Sequence, residues 1–122
     1  MGRLLAQALL LPLLLVGPLL LGSPAWAAEV LQVREATLLQ VGDHNRSYPV
    51  ALACLQLEPE QRQPAIEWLR QQLPRRTKVN LRPIGSRDGV LLARVSPLGG
   101  RTTDLAEGLV AAGLAQPAPC AP

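Results

Sequence analysis

The run Gln63-Pro64-Ala65-Ile66-Glu67-Trp68-Leu69-Arg70-Gln71-Gln72-Leu73-Pro74, followed by Arg75-Arg76-Thr77-Lys78-Val79-Asn80-Leu81-Arg82, decides the fold. Ile66, Leu69 and Leu73 recur at helical spacing with Trp68 beside them, while Glu67, Arg70 and Gln71 face away. Pro64 suits the first helical position, where its missing N–H costs nothing, and Pro74 ends the helix. A helix is therefore expected over 64–73, with Trp68 in the core or half-buried at its edge. The period then switches to two: Val79 and Leu81 point one way, Lys78, Asn80 and Arg82 the other, as in a strand.

Upstream, 30–33 and 37–41 are apolar runs rich in β-branched residues, and Arg34-Glu35-Ala36 marks a bend or bulge between them. Gly42-Asp43-His44-Asn45 is a turn cluster, and 48–57 is a further strand-length run entered through Pro49. These three pieces fit a meander. Downstream, 83–89 reads as a turn, 90–95 as a short strand and 97–101 as a Gly-rich turn. Asp104 is a good N-cap, with Glu107 three residues on as in a capping box. Leu105, Leu109 and Val110 give this short helix an apolar face, and Gly113 suits its C′ position. Residues 116–122 are Pro-rich and expected to be loose. Five short strands with a helix between the third and fourth, and a short C-terminal helix, predict a mainly β domain with α: an OB-fold-like barrel. An α+β roll and a split sandwich remain alternatives on pattern alone.

The chain has 122 residues, 48% of them hydrophobic, with a net charge of +3 and no Phe. It is long enough for one domain and too apolar for disorder. Its first 27 residues read as a secretory signal: Arg3, an apolar run over 4–21, then a small-residue stretch ending in Ala25-Trp26-Ala27. Cleavage is expected after Ala27, leaving no stable membrane anchor; the competing reading is a retained anchor. The expected division is 1–27 signal, 28–115 barrel, 116–122 tail, and the expected destination is periplasmic, lumenal or secreted. Without Arg3 the chain carries 11 basic and 9 acidic side chains, so it has no general pull toward nucleic acid or anionic membrane. Export places Cys54 and Cys120 in an oxidising compartment, where an even pair is a disulfide candidate. Closing a loop of about 66 residues would contribute roughly 4 kcal/mol in the chain-entropy model. A buried Cys54 with a free Cys120 is the alternative.

The stretch 31–115 resembles the thermonuclease (staphylococcal nuclease-like) family. Val50-Ala51-Leu52 followed by Leu55 stands where the family has V-R-L then I-D. A proline-led helix of the same length comes next. Asp88-Gly89-Val90-Leu91-Leu92-Ala93 is similar to the family's Y-G-R-x-L-A, and Leu109-Val110-Ala111-Ala112-Gly113-Leu114-Ala115 to its L-V-x-x-G-L-A. The resemblance implies a phosphodiesterase in which Ca²⁺ is held by two Asp carboxylates and a Thr carbonyl. Two Arg side chains clamp the phosphate and a Glu helps activate water. Such a site needs oxygen ligands for a hard cation and fixed cations for the developing charge.

This chain departs from that pattern. The metal Asp positions fall on Ala36 and Gln56, the Arg positions on Ala51 and Val90, and the base-stacking Tyr on Asp88; Thr37 is kept, and Glu58 or Glu60 stands near the Glu. Losing one electrostatic catalytic contact commonly costs about 10²–10³ in rate. Losing four predicts no catalytic residues, no metal site and no cofactor. Arg87 and Arg94 lie near enough to Val90 for a register shift to restore one Arg, but not the metal ligands. His44 reads as an exposed turn residue, Ser47 and Ser96 lack a base, and the sequon Asn45-Arg46-Ser47 reads as chance.

A basic cluster remains: Arg75, Arg76, Lys78 and Arg82, with Arg87 in the next turn. On an OB barrel such a stripe can track a nucleic-acid backbone, although single-strand binders usually add aromatic platforms and only Tyr48 and Trp68 are available. The plainer reading is a solvated strand defended by charge. The favoured function is thus a degenerate thermonuclease-like domain binding nucleic acid or a protein partner, or serving structure. Its alternatives are an active Ca²⁺-dependent nuclease with relocated groups and an unrelated barrel acting as an accessory subunit.

Overall fold

A computed structural model describes residues 26–99 and 104–120. All but the last two residues of the expected signal lie outside the described residues, as do 100–103 and 121–122. The chain runs β1 (Trp26–Glu35), β2 (Leu38–Asp43), β3 (Arg46–Leu52), β4 (Leu55–Gln56), a 3₁₀ turn (Pro59–Gln61), α1 (Arg62–Gln72), β5 (Thr77–Arg87), β6 (Val90–Pro97), α2 (Leu105–Ala111) and β7 (Gln116–Pro117). Five strands close a barrel in the order β1-β2-β3-β6-β5. The β3–β6 pair is parallel, the other barrel pairs antiparallel. The fold is the mainly β, OB-fold-like barrel that the sequence pattern indicates, with α1 between the third and fourth barrel strands and a short C-terminal helix.

Alternation builds the interior. Val30, Leu39, Val41, Val50, Val79, Leu81 and Val95 point inward and are fully buried, so the barrel is filled by Val and Leu without an aromatic ring. α1 adds Ala65 and Leu69, and α2 adds Leu105 and Leu109. Each such Val or Leu contributes about 1.5–3 kcal/mol on burial. Trp68 is half-buried against this core. Two-residue turns join the hairpins. Asp88 (φ 52) and Gly89 (φ 83) both take positive φ between paired Arg87 and Val90, the Asp-Gly signature of a turn whose twist matches its strands.

The boundaries shift in several places, and the run expected as one strand over 48–57 splits into β3 and β4 because Cys54 between them takes φ 68. β1 begins at Trp26, upstream of the expected 30–33 run, because Trp26 and Ala27 pair with Leu81 and Asn80 of β5. α1 begins at Arg62 after the 3₁₀ turn, so Pro64 lies third in the helix rather than first; the N–H it lacks is still among those without an intrahelical partner. β5 continues to Arg87 through Pro83, expected to turn, because the Pro83/Gly85 irregularity absorbs the lost donor. Finally, the segment expected to be a loose tail is tied down. β7 pairs with β4, Ala118 N–H donates to the Cys54 carbonyl (3.0 Å), and Cys54 and Cys120 are joined by a disulfide. The Asp104 and Gly113 expectations fit, since Asp104 accepts from the Ala106 and Glu107 amides and Gly113 follows the helix with φ 77, but the Glu107 side chain turns to Arg94 (3.5 Å) instead of closing a capping box. Among the described residues no helix is long and apolar enough to cross a membrane.

Candidate nucleic-acid interface

β5 carries the basic cluster. Period-two alternation buries Val79 and Leu81 and leaves Lys78, Asn80 and Arg82 exposed on the outer face, with Arg87 exposed at the far end. Arg75 and Arg76 form the entry turn. Arg76 adopts φ 73, donates its amide to the Val30 carbonyl (2.7 Å) and pairs with Glu29 (3.1 Å). Arg75 donates to the Leu31 carbonyl (3.3 Å). Arg75, Lys78, Arg82 and Arg87 have no carboxylate partner among the described residues. At about 3.3 Å per residue the row from Lys78 to Arg87 spans about 30 Å. Arg82 faces Arg94 in register, a like-charge pair that is ordinarily unfavourable. It is tolerated because Arg94 turns to Asp104 (2.8 Å) and Glu107 (3.5 Å).

Beside this row lies an open groove of about 530 Å³ whose lining includes Arg46, Arg76 and Lys78 together with Glu29, Leu31 and Asp43. Arg46 is a cation that the sequence marks only as part of a sequon. The β2–β3 hairpin brings it to the groove shared with β5, and no local spacing announces that neighbourhood. Tyr48 is half-buried, its hydroxyl accepting from Trp26 Nε1 (3.0 Å), and Trp68 is packed against the core, so neither offers a free stacking face.

The positions that the resemblance would make metal ligands lie together in the structure. Ala36, Thr37 and Gln56 share a cleft of about 210 Å³ with Glu35, Leu55, Leu57 and Arg62. The β1–β2 turn holds 36–37, and β4 brings Gln56 alongside. Ca²⁺ takes six to eight oxygen ligands with carboxylates among them. Here the one carboxylate is Glu35, held by Arg62 at 2.9 Å, and the other side-chain oxygens are neutral. The donor set does not fit Ca²⁺, and among the described residues no three His, Cys, Asp or Glu side chains are placed to hold a metal ion. Ala51 lies between Leu38 and Leu92 in the sheet, and Val90 ends the β5–β6 ladder, so neither presents a phosphate donor. Glu58 precedes the 3₁₀ turn, its amide donating to Gln61 Oε1 (3.0 Å), and Glu60 is exposed within that turn. Arg94, near enough in sequence to replace a clamp, is committed to Asp104, Glu107 and the disulfide sulfurs. His44 is exposed in its turn and contacts Asp43 (2.7 Å).

Comparison with models of protein families and with curated proteins found no match for this chain.

Proposed function

We propose that this chain is an exported, thermonuclease-like OB barrel that has lost hydrolysis and binds a nucleic-acid strand through its phosphates. The observation that carries the reading is the row Arg75, Lys78, Arg82 and Arg87, exposed along one strand without carboxylate partners among the described residues. Cations that nothing within the fold neutralises are available for counterion-releasing contacts with phosphate, the sequence-independent part of nucleic-acid binding. The exposed aromatic beside the row is Trp26, paired with Leu81 of β5, and one such ring gives little base readout, so the binding is expected to be weak, salt-sensitive and indifferent to sequence. The donor set around Ala36 and Gln56 supports the loss of hydrolysis, since its one carboxylate, Glu35, is paired with Arg62 and its other oxygens are neutral, which is too little charge for Ca²⁺.

The test combines two measurements on the protein lacking residues 1–25. Fluorescence anisotropy with labelled single- and double-stranded oligonucleotides of unrelated sequence should show binding at low salt that fades as salt is raised. Incubation of DNA and RNA with millimolar Ca²⁺ should give no digestion. Absence of salt-sensitive binding to any strand refutes the binding half; chelator-reversible cleavage by the pure protein refutes the other.

A further inference from the structure

The surroundings of the Cys54–Cys120 bridge favour its opening. Arg94 reaches it from β6, with Nη1 3.3 Å from Cys54 Sγ and 3.8 Å from Cys120 Sγ. The guanidinium is steadied there by Asp104, whose other oxygen caps α2. In thiol–disulfide exchange the leaving sulfur departs as a thiolate, and a neighbouring cation stabilises it. Cys120 is exposed and Cys54 half-buried, so the accessible sulfur belongs to Cys120 while the better-stabilised leaving group is Cys54. Cys54 also holds a left-handed backbone (φ 68), a conformation that costs a non-glycine residue free energy.

We propose that this bridge is an exchange site for an external dithiol, and that its opening releases one wall of the cleft around Ala36. A thiolate of the dithiol attacks Cys120 Sγ, forming a mixed disulfide. The Cys54–Cys120 bond breaks with its electron pair on Cys54 Sγ, beside Arg94. The second thiol of the reductant then attacks its own sulfur in the mixed disulfide and frees Cys120. The dithiol leaves as a disulfide, having given two electrons, and its two protons balance the two new thiols.

The structural consequence follows from β4. This strand has two residues, Leu55 and Gln56, paired with Pro117 and Gln116 of β7. Both also line the cleft that holds Ala36 and Thr37. The bridge is the covalent tie that keeps β7 on β4, and an apolar groove of about 430 Å³ flanked by Leu55, Val110 and Pro117 lies against it. With the bridge open, β7 is held by the short ladder and the Ala118–Cys54 backbone hydrogen bond, and Gln56 loses its covalently fixed place in the cleft. The inference is independent of nucleic-acid binding, since neither Arg94 nor the bridge belongs to the β5 row.

The experiment measures opening of the oxidised protein by dithiothreitol at neutral pH, read by alkylation and mass. Arg94→Gln should open about fivefold more slowly, the size expected when a leaving thiolate loses its cation. Arg94→Lys should stay near the wild-type rate, and Glu107→Gln, which removes a competing anion, should open faster. Equal rates in wild type and Arg94→Gln overturn the proposal. If Arg94→Gln does not fold, the wild-type protein decides: salt should slow opening in the native protein and not in the urea-unfolded chain, and equal salt dependence in the two overturns it. Hydrogen exchange then reads the cleft. The Gln56 and Ala118 amides should exchange faster once the bridge is open, and unchanged protection refutes the coupling.

Discussion

Asp104 is the buried charged residue of the described core, 7% exposed, and it serves two masters. One oxygen accepts the Ala106 (2.7 Å) and Glu107 (3.2 Å) amides at the start of α2; the other accepts Arg94 Nε at 2.8 Å. Asp104→Ala removes both. A helix cap is worth about 1 kcal/mol and a hydrogen bond to a charged group about 1.5–3 kcal/mol. Arg94 is partly exposed (29% of its side chain), which places the ion-pair share at the low end, so the expected loss is about 3 kcal/mol. Asp104→Asn keeps an acceptor for the amides but turns a donor toward Arg94, for a loss of about 2 kcal/mol by the same reckoning. Arg94→Met leaves Asp104 capped but strands its buried carboxylate without a cation, and should cost at least as much as Asp104→Asn. Urea unfolding of the oxidised proteins, with the double variant completing a cycle, reads these values directly. For a domain near this size, 3 kcal/mol corresponds to a fall of roughly 12–24 °C in Tm. Asp104→Asn lying within about 0.5 kcal/mol of wild type, the usual range of an inconsequential surface change, would refute the claim that the Arg94 contact contributes, whatever the cap does.

Four contacts along the β5 row imply a single-strand salt slope near −2.8, so a rise from 50 to 200 mM should weaken binding about fiftyfold; Lys78→Gln with Arg82→Gln should reduce that to about sevenfold, measured by anisotropy. Installing the groups that the thermonuclease resemblance suggests, as Ala36→Asp, Ala51→Arg, Gln56→Asp and Val90→Arg, should raise Ca²⁺ affinity above that of the wild type in calorimetry, whereas Gln56→Asp alone should not, because one added carboxylate leaves too few ligands. A chain starting at Ala28 loses two β1–β5 pairs and the Trp26–Tyr48 hydrogen bond, and should be about 1–2 kcal/mol less stable in urea than one starting at Trp26. Gly89→Ala forces a side chain onto φ 83 although space is open around it, so the expected cost is about 1 kcal/mol by thermal unfolding, from backbone conformation alone.

What the sequence made legible is what local chemistry encodes. Ile66, Leu69 and Leu73 announce α1 by spacing, Asp104 and Gly113 announce the ends of α2, and Val79 and Leu81 announce the buried face of β5. Each is settled by neighbours a few residues away. What stayed hidden depends on partners far along the chain. Leu55 and Gln56 make a strand only because Gln116 and Pro117 come back to meet them, and two residues carry no periodicity. Trp26 joins β1 only because Leu81 is there to pair with it. The site divides in the same way: the β5 cations lie within one short stretch of sequence, whereas Arg46 joins the groove only once the hairpin and the barrel are both closed. Glu35 is a similar case, since its capture by Arg62 depends on where α1 is laid.

The barrel's closure imposes an order of assembly. β1, β2 and β3 form a meander from consecutive sequence, yet both its outer strands keep unpaired backbone until residues beyond Thr77 arrive. β5 and β6, joined by the Asp88-Gly89 turn, are a hairpin that forms from local contacts. Docking that hairpin seals both open edges in one event, β5 along β1 antiparallel and β6 along β3 parallel. Until then the meander is a three-stranded template with two edges to which another chain can add. A weaker Asp88-Gly89 turn should therefore lengthen the interval in which those edges stand open.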